Sequence, residues 1–217
     1  MQVQGIFPIV KPVGWTSFDV VNKLRRLTGE KKIGHSGTLD PMATGVLVVA
    51  IGREYTKQLQ ALTELPKTYL AQITFGITTD TYDLEGAIVS MSRPLDLTRD
   101  AIEVALNQFR GEIMQKPPIY SALKINGRKL YEYARRGQTV EIVPRSATVY
   151  DLKVLSYDPE NYPTLLVRAT VSKGTYIRSL AYDLGVALGV GGVLSQLVRE
   201  SVGSYLLREA YTLDRFN

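Results

Sequence analysis

The 217-residue sequence has no cysteine and a single histidine, His35. Without cysteine, the chain can form no disulfide, offer no thiolate nucleophile and hold no cysteine-ligated zinc or iron–sulfur centre. One histidine also disfavours a metal site made from several imidazoles and catalytic machinery built on more than one histidine. Any chemistry that the protein performs must therefore use carboxylates, tyrosines, lysines and arginines.

Long apolar runs are also missing from the sequence. The longest, Val46 to Ile51, is far shorter than the roughly 20 residues that a helix needs to cross a bilayer. The N-terminus lacks the charged and then apolar pattern of a signal peptide. With 45% hydrophobic and 22% charged residues, the composition is that of a globular protein. We expect a cytoplasmic protein that makes no membrane contact.

The net charge of +5 is concentrated in two segments. Residues 110–145 contain eight Lys or Arg against three acids, which already gives +5. A second basic group is formed by Lys23, Arg25, Arg26, Lys31 and Lys32. Basic segments interleaved with tyrosines suit a polyanion such as RNA, because cations contact phosphate and aromatic rings stack on bases. The alternative is a set of solvated helix faces.

Helix and strand patterns along the sequence do not alternate strictly. An amphipathic helix is predicted to begin after the cap residue Thr16 and to end at Gly29. Its apolar positions, which recur at helical spacing and are expected to face the core, are Phe18, Val21, Leu24 and Leu27. Strands are predicted at 5–10, 46–51, 68–75, 121–125, 147–157 and 164–171, and further helices at 98–111, 130–137 and 176–188. This order favours an α+β fold around a central, mostly antiparallel or mixed β-sheet with flanking helices.

One glycine-rich segment, from Gly34 to Gly45, has the sequence GHSGTLDPMATG. Its three glycines and one proline indicate a tight loop. The buried strand that follows would hold the carboxylate of Asp40 on a rigid base, as a catalytic group requires. The alternative is that Asp40 only forms a turn, since Asp before Pro is common in turns.

Five further segments accompany this motif along the chain. They are IVKPVGWTS at 9–17, KTY at 67–69, TDTYDLEG at 79–86, PPIYSALKINGRKLYEYARRG at 117–137 and SKGTYIRSLAYDLG at 172–185. Together with GHSGTLDPMATG, they resemble the patterns of the TruB-type tRNA pseudouridine synthases. The likeness extends from about residue 5 to about residue 215. It implies the pseudouridine-synthase catalytic fold.

The resemblance also implies a reaction. The bond from C1′ to N1 of uridine 55, in the T-arm loop of tRNA, breaks, the base rotates, and C1′ is joined to C5. This isomerisation needs no redox cofactor and no metal, so neither is expected. Asp40 would be the catalytic carboxylate, acting near C1′ either as a nucleophile or as a base on the sugar. Both roles remain open at the level of sequence.

Four other residues gain catalytic or pocket roles from the same resemblance. Arg178 would pair with Asp40 and keep it ionised in a closed pocket, where burial alone would favour protonation. Tyr69 would stack on the target base and move the C5 proton. Tyr176 and Leu197 would line the base pocket. The ordinary alternatives are a solvent-facing helix position for Arg178 and core packing for the other three.

The remaining expectations concern RNA contacts. His35 would fill the space that the extruded uracil leaves, unless it is only a loop residue bonded to backbone. Lys11 and Lys57 are expected to contact phosphate or to support the pocket, and Asp83 matches a supporting acid, although it too could form a turn. The RNA-binding residues expected on a mobile thumb segment, at about 116–145, are Lys124, Arg128, Lys129, Arg135 and Arg136.

The resemblance predicts a single catalytic domain over residues 1–217 that works as a monomer without an obligate protein partner. Because the sequence ends soon after Thr212 to Phe216, no complete C-terminal PUA-type RNA-binding module is expected. Three other interpretations stay open. The chain could be a subunit of a guide-RNA-dependent pseudouridine synthase, a non-catalytic tRNA-binding or folding protein, or a carboxylate glycosidase with Asp83 as its second acid.

Overall fold

The computed structural model describes residues 3–93 and 96–216. The chain divides into two compact units. The first unit comprises the residues up to 70, residues 170–173 and the residues from 196 onward. The second comprises residues 71–169 and 174–195. The single catalytic domain expected over residues 1–217 stays a prediction.

The described residues form strands and short to medium helices in a mixed order. The strands are β1 Gly5–Lys11, β2 Ile33–His35, β3 Thr44–Ile51, β4 Lys67–Phe75, β5 Ile77–Thr79, β6 Ile88–Met91, β7 Gly111–Gln115, β8 Lys124–Ile125, β9 Arg128–Lys129, β10 Arg145–Asp158, β11 Thr164–Val171, β12 Gly192–Val202 and β13 Tyr205–Leu206. The helices are α1 Ser17–Thr28, α2 Arg53–Thr56, α3 Leu59–Glu64, α4 Arg99–Leu106, α5 Leu130–Arg135 and α6 Ile177–Ala187. Nine strands belong to one sheet that contains parallel and antiparallel pairs, which confirms the predicted α+β class.

The sheet of the first unit is built around β3. Seven of its eight residues are buried, as expected for an apolar run that packs on both faces. Strand β1 pairs with it antiparallel along its whole length, and β2 pairs antiparallel with its C-terminal half. Strand β12 pairs with it in parallel, with Val198 opposite Thr44 and Arg199 opposite Gly45. Three strands therefore meet at β3, just after the glycine-rich segment.

Helix α1 confirms its predicted start and end but corrects one predicted orientation. Thr16 and Asp19 form a capping box, and Gly29 ends the helix in the left-handed conformation with φ 71°. Val21 and Leu24 are buried in the core as predicted. Phe18 is not, because its side chain is 57% exposed. The helical spacing placed Phe18 at the edge of the apolar stripe, and the helix turns that edge to solvent.

Strands β4, β11, β10 and β7 are successive neighbours in the sheet, and the second unit contains β10, β7 and the larger parts of β4 and β11. Ala71, Ile73 and Phe75 on β4 point inward, as the alternating pattern predicted. Helix α4 is capped by Thr98 and buries Ile102 and Leu106, which confirms the predicted helix. None of the helices among residues 3–93 and 96–216 combines the length and apolar character needed to span a bilayer.

A short hairpin followed by a helix occupies residues 124–135. Strands β8 and β9 pair antiparallel across Asn126 and Gly127, both with positive φ, at 51° and 81°. Such a pair of left-handed residues is typical of a two-residue hairpin turn. The predicted order of strand, turn and short helix is therefore confirmed, although the strand covers only Lys124–Ile125.

Helix α6 packs against the start of β12 with its backbone, and this contact requires glycine on both elements. A Cβ atom at Gly185 would lie 2.2 Å from the backbone nitrogen of Gly192 and 2.3 Å from the carbonyl carbon of Gly191. Both distances are shorter than real side chains tolerate. The glycines thus hold α6, the helix that carries Arg178, close to the sheet.

We expect Gly185→Ala to lower the free energy of unfolding by about 1 to 3 kcal/mol, because the added methyl group overlaps the backbone of β12. In an unobstructed helix the same substitution would stabilise by about 1 kcal/mol. The sign of the effect, measured by urea denaturation, therefore tests the contact. Val186→Ala is the matched control on the same helix; its side chain is 57% exposed, and we expect a change within about 0.5 kcal/mol.

Candidate active site

The glycine-rich segment is held by buried polar side chains from distant parts of the chain. The first is Ser17, at the start of α1, which is 2% exposed. Its hydroxyl accepts a hydrogen bond from the backbone nitrogen of Leu39 at 2.9 Å and lies 3.2 Å from the carbonyl oxygen of the same residue, to which it donates. Ser17 therefore satisfies both backbone groups of the residue that precedes Asp40.

The residue that follows Asp40 is held by Lys11, which is fully buried at the end of β1. Its ammonium donates to the carbonyl oxygens of Pro12 at 2.8 Å, Trp15 at 2.6 Å and Pro41 at 3.2 Å. The backbone nitrogen of Gly14 also donates to the Pro41 carbonyl at 2.8 Å. Asp40 is partly exposed and lies between two residues whose backbones are anchored.

Arg199, which lies on β12 and is 1% exposed, connects the segment to the strand that follows it. Its Nε donates to the carbonyl of Val46 at 2.7 Å, and its Nη2 donates to the carbonyl of Gly37 at 3.1 Å. Gly45 has φ +106°, and a Cβ atom there would lie 2.3 Å from the carbonyl oxygen of Arg199. Glycine is therefore required where β12 passes the end of the loop.

His35 lies at the end of β2, five residues before Asp40, and is partly buried. Burial lowers its pKa, and the positive charge of Arg199 lowers it further. The imidazole is therefore neutral at pH 7. Its Nδ1 is buried and has no hydrogen-bond partner within the described part of the chain.

Three other predicted residues also belong to the first unit. Tyr69 on β4 and Leu197 on β12 are 8% and 7% exposed, so both side chains are buried. Lys57 ends α2 on the surface, where its ammonium forms an ion pair with Glu54 at 2.9 Å. The structure thus buries the two proposed pocket residues of this unit and leaves Lys57 in solvent.

In the second unit, Arg178 is buried in the first turn of α6 and is 5% exposed. Its guanidinium donates to the carbonyl oxygens of Thr81 at 3.1 Å and Tyr120 at 2.9 Å. It also forms an ion pair with Asp83, whose Oδ2 lies 3.4 Å from Nη1. Buried arginine is stable only when such partners replace water. The solvent-facing alternative for Arg178 is wrong.

Asp83 is itself fixed by its surroundings. It is 3% exposed, and its Oδ1 accepts hydrogen bonds from the Thr81 hydroxyl at 2.6 Å and the Glu85 backbone nitrogen at 3.1 Å. Asp83 therefore pairs with Arg178 and closes its own turn, and its role as a supporting acid stays a prediction.

Tyr176 precedes α6 and is held through its backbone. Gln115, which is 2% exposed, accepts from the Tyr176 nitrogen at 2.7 Å and donates to the Tyr176 carbonyl at 2.9 Å. Ser179 donates to the carbonyl of Lys116 at 2.7 Å. The start of α6 is therefore anchored to the end of β7.

The predicted RNA-binding cations lie on the hairpin and helix of residues 124–136. Lys124, Arg128, Arg135 and Arg136 are exposed, and Lys129 is partly exposed. The ring of Tyr131 lies 5.4 Å from both the Lys129 ammonium and the central carbon of the Arg135 guanidinium. A tyrosine between two cations holds them close together despite their repulsion.

Sequence reasoning missed Ser17, Gln115 and Arg199 as supporting residues. Ser17 stands at a helix start, which explains it otherwise, and Arg199 lies in a stretch whose sequence shows no clear period. Each is recognisable only when its distant backbone partner is known. No group of three or more metal-ligating side chains occurs among residues 3–93 and 96–216.

Comparison with known proteins places this geometry in a family. Residues 25–177 match the TruB family pseudouridylate synthase (N terminal domain). The chain is 48% identical over 215 residues to tRNA pseudouridine synthase B of Caldanaerobacter subterraneus subsp. tengcongensis, covering 99% of this chain and 74% of that protein. It is 49% identical over 205 residues to tRNA pseudouridine synthase B of Dehalococcoides mccartyi, covering 94% and 67%. The chain belongs to the TruB family of pseudouridylate synthases.

Solved structures support the same fold. A chain in a Cbf5-Nop10-Gar1 complex is 33% identical, with a TM-score of 0.73, over 97% of this chain and 52% of that one. A chain in an H/ACA RNP bound to a substrate RNA is 30% identical, with a TM-score of 0.71, over 97% and 51%. The present chain therefore spans about half the length of these solved relatives. The predicted pseudouridine-synthase fold is confirmed.

We expect Arg199→Gln to raise the pKa of His35, because a positive charge that opposes protonation is removed. The single histidine gives one set of imidazole signals, so its titration can be followed by NMR. Since the folded-state pKa of His35 lies below its unfolded value, the unfolded chain binds the proton first as the pH falls. The free energy of unfolding therefore decreases as the pH falls below about 6.5. We expect this decrease to be smaller in Arg199→Gln.

Two further variants separate charge from hydrogen bonding. Arg199→Lys keeps the charge but not the forked donors, so the His35 pKa should stay low while turnover falls about tenfold or more as the loop loosens. Arg208→Gln removes an exposed arginine of the same unit, paired with Glu209, and should change neither quantity. An unchanged His35 pKa in Arg199→Gln would refute the assigned electrostatic effect.

Proposed function

We propose that this chain isomerises uridine 55, in the T-arm loop of tRNA, to pseudouridine, with Asp40 as the catalytic carboxylate. The observation that carries the proposal is the anchoring of Leu39 and Pro41, the two neighbours of Asp40, by buried side chains. A turn former on the surface needs no such support. A catalytic carboxylate does, because small displacements of a reacting group cost large factors in rate.

The chemistry matches the residues that the chain has. The C1′–N1 bond breaks and the C1′–C5 bond forms. C5 releases its proton to solvent and N1 takes up one proton, so atoms and electrons balance. A carboxylate can attack C1′ or remove a proton from the sugar. Both routes need an ionised Asp40. Tyr69, buried on β4, is the proposed group for moving the C5 proton.

Arg178 is the proposed cation that keeps Asp40 ionised. Its orientation by Asp83, Thr81 and Tyr120 supports this role, since a fixed guanidinium costs no reorganisation when charge develops. Tyr176, whose backbone is fixed by Gln115, and Leu197 remain proposed wall residues of the base pocket.

The target base must leave the stack of the folded RNA loop, at a cost of a few kcal/mol. His35 is the proposed substitute for it. A neutral, planar ring can occupy a base-sized space without bringing an unpaired charge, and burial together with Arg199 lowers the pKa of His35 and keeps it neutral. The exposed cations of residues 124–136 are the proposed contacts to the RNA backbone.

We propose that the chain acts on tRNA alone, as a monomer, rather than as a guide-RNA-dependent subunit. It is 48% and 49% identical to proteins named tRNA pseudouridine synthase B, compared with 33% and 30% for the chains of the solved complexes. Turnover of tRNA by the purified chain, with no guide RNA and no partner protein, would support this choice.

The test is release of tritium from C5-labelled uridine in an unmodified tRNA transcript, without cofactor, metal or guide RNA. Wild type should release tritium. Asp40→Asn should abolish release while tRNA binding stays within about tenfold, because the carboxylate contributes to the transition state more than to phosphate contacts.

Asp100→Asn is the matched control, since it makes the same chemical change at an exposed position in the first turn of α4. It should release tritium at the wild-type rate. If circular dichroism showed that Asp40→Asn is unfolded, the result would favour a turn-forming role for Asp40. Wild-type protein that binds tRNA but releases no tritium would favour a non-catalytic RNA-binding protein.

A further inference from the structure

Helix α1 and the turn after it carry a basic surface that the proposed chemistry does not use. We define the α1 surface by Phe18, Lys23, Arg25, Arg26, Lys31 and Lys32. We propose that it is a second RNA-binding surface, which contacts the phosphate backbone of tRNA outside the T-arm. This inference rests on the proposed function, because it extends the binding of the same substrate.

The charges of this surface are only weakly compensated. The acids between residues 17 and 32 are Asp19 and Glu30, against five cations, which leaves +3. Asp19 accepts from the backbone nitrogen and the hydroxyl of Thr16 at 2.8 and 2.6 Å. Glu30 accepts from the backbone nitrogen of Lys32 at 2.7 Å. Both carboxylates thus serve local backbone, and within the described residues none of the five cations forms an ion pair with an acid.

Elsewhere in the first unit, three exposed cations have acidic partners. Lys57 pairs with Glu54 at 2.9 Å. Lys173 pairs with Glu64 at 2.6 Å. Arg208 lies 3.4 Å from Glu209. Arg53 and Arg215 are exposed without an acidic partner among the described residues, but each stands singly, whereas the α1 surface groups five cations that lack such a partner. A group of like charges without partners is suited to a polyanion, which such a group attracts over a distance.

An exposed aromatic ring accompanies these cations. Phe18 is 57% exposed, and the central carbon of the Arg25 guanidinium lies 5.5 Å from its ring centre. Arg25 also donates to the side-chain oxygen of Asn22 at 3.1 Å. Phe18, Asn22 and Arg25 therefore form one stripe along the helix. The core gains little from this phenylalanine, but an aromatic ring beside a guanidinium can stack on an unpaired base.

Helix α1 connects this surface to the catalytic loop. Its first residue, Ser17, holds Leu39 beside Asp40. From Ser17 to Arg26 the helix rises about 14 Å at 1.5 Å per residue. The basic end of the helix is therefore several nucleotide spacings from the end that anchors the loop. The T-arm is the proposed partner of the cations of residues 124–136, which leaves the α1 surface for another part of the same tRNA.

The test compares two RNAs, a T-arm stem-loop and a full-length tRNA transcript, for the triple variant Arg26→Gln, Lys31→Gln and Lys32→Gln. All three side chains are exposed, so the fold should be unaffected. We expect Kd for full-length tRNA to rise at least tenfold and Kd for the stem-loop to change less than twofold. The slope of log Kd against log salt for full-length tRNA should fall by about 0.7 to 0.9 for each phosphate that is no longer neutralised.

The matched control is Arg99→Gln, Lys153→Gln and Arg208→Gln, which removes the same total charge from exposed residues that are paired with acids. It should leave both affinities within about twofold. Equal losses of affinity in the two triple variants would overturn the inference, because overall charge alone would then explain the effect. A loss for the stem-loop as large as that for full-length tRNA would also overturn it, since the surface would then belong to the T-arm interface.

A second variant tests the ring. Phe18→Leu keeps an apolar side chain and removes the aromatic face, and we expect a rise of about three- to tenfold in Kd for full-length tRNA only. An unchanged Kd would show that Phe18 does not contact the RNA and that binding is purely electrostatic, which would contradict the inference. These measurements need no turnover. A chain that binds both RNAs but releases no tritium would refute the proposed function and leave this inference intact.

Discussion

The burial of Lys11 and Arg199 is the constraint on which the geometry of the glycine-rich segment, the loop from Gly34 to Gly45, depends. A buried cation without partners would cost several kcal/mol. Both residues avoid this cost by donating to backbone carbonyls of the loop and its borders, at Pro41 for Lys11 and at Gly37 and Val46 for Arg199. The loop therefore supplies part of the hydrogen bonding that each buried cation needs, and Lys11 also donates to Pro12 and Trp15. A loop that moved away would take the Pro41 carbonyl from Lys11 and the Gly37 carbonyl from Arg199.

The same cations set the electrostatics of the first unit. Burial and the charge of Arg199 lower the pKa of His35 and bring that of Lys67 to about 8. Arg199 thus supports the loop mechanically and favours a neutral imidazole beside it. In the second unit the corresponding device is an ion pair, in which Asp83 compensates Arg178 and is itself tied to its own turn. Each unit therefore fixes its proposed site residue, Asp40 or Arg178, through buried polar contacts and not through apolar packing alone.

Several elements were predictable because their signals are local. The cap at Thr16, the terminating Gly29, the apolar run of β3 and the Asn126-Gly127 turn all act within a few residues, and the structure confirms each. Phe18 was predicted wrongly. Helical spacing defines a stripe but not how far around the helix the core extends, and here the core stops short of Phe18. The strand β12 was missed, because its mixed polar and apolar sequence shows no clear period.

The sequence by itself determined the family, the motif that carries Asp40, the surplus of positive charge and the absence of thiol chemistry. These depend on residue identity and short spacing. Only the tertiary structure decided which side chains hold the motif in place and which cations lack acidic partners. Arg199 and the Gly37 carbonyl are 162 residues apart in sequence, and Arg178 and Thr81 are 97 apart. Such pairings follow from how strands are ordered in a sheet. Every residue has a backbone carbonyl, so the sequence does not indicate which carbonyl a distant side chain will contact.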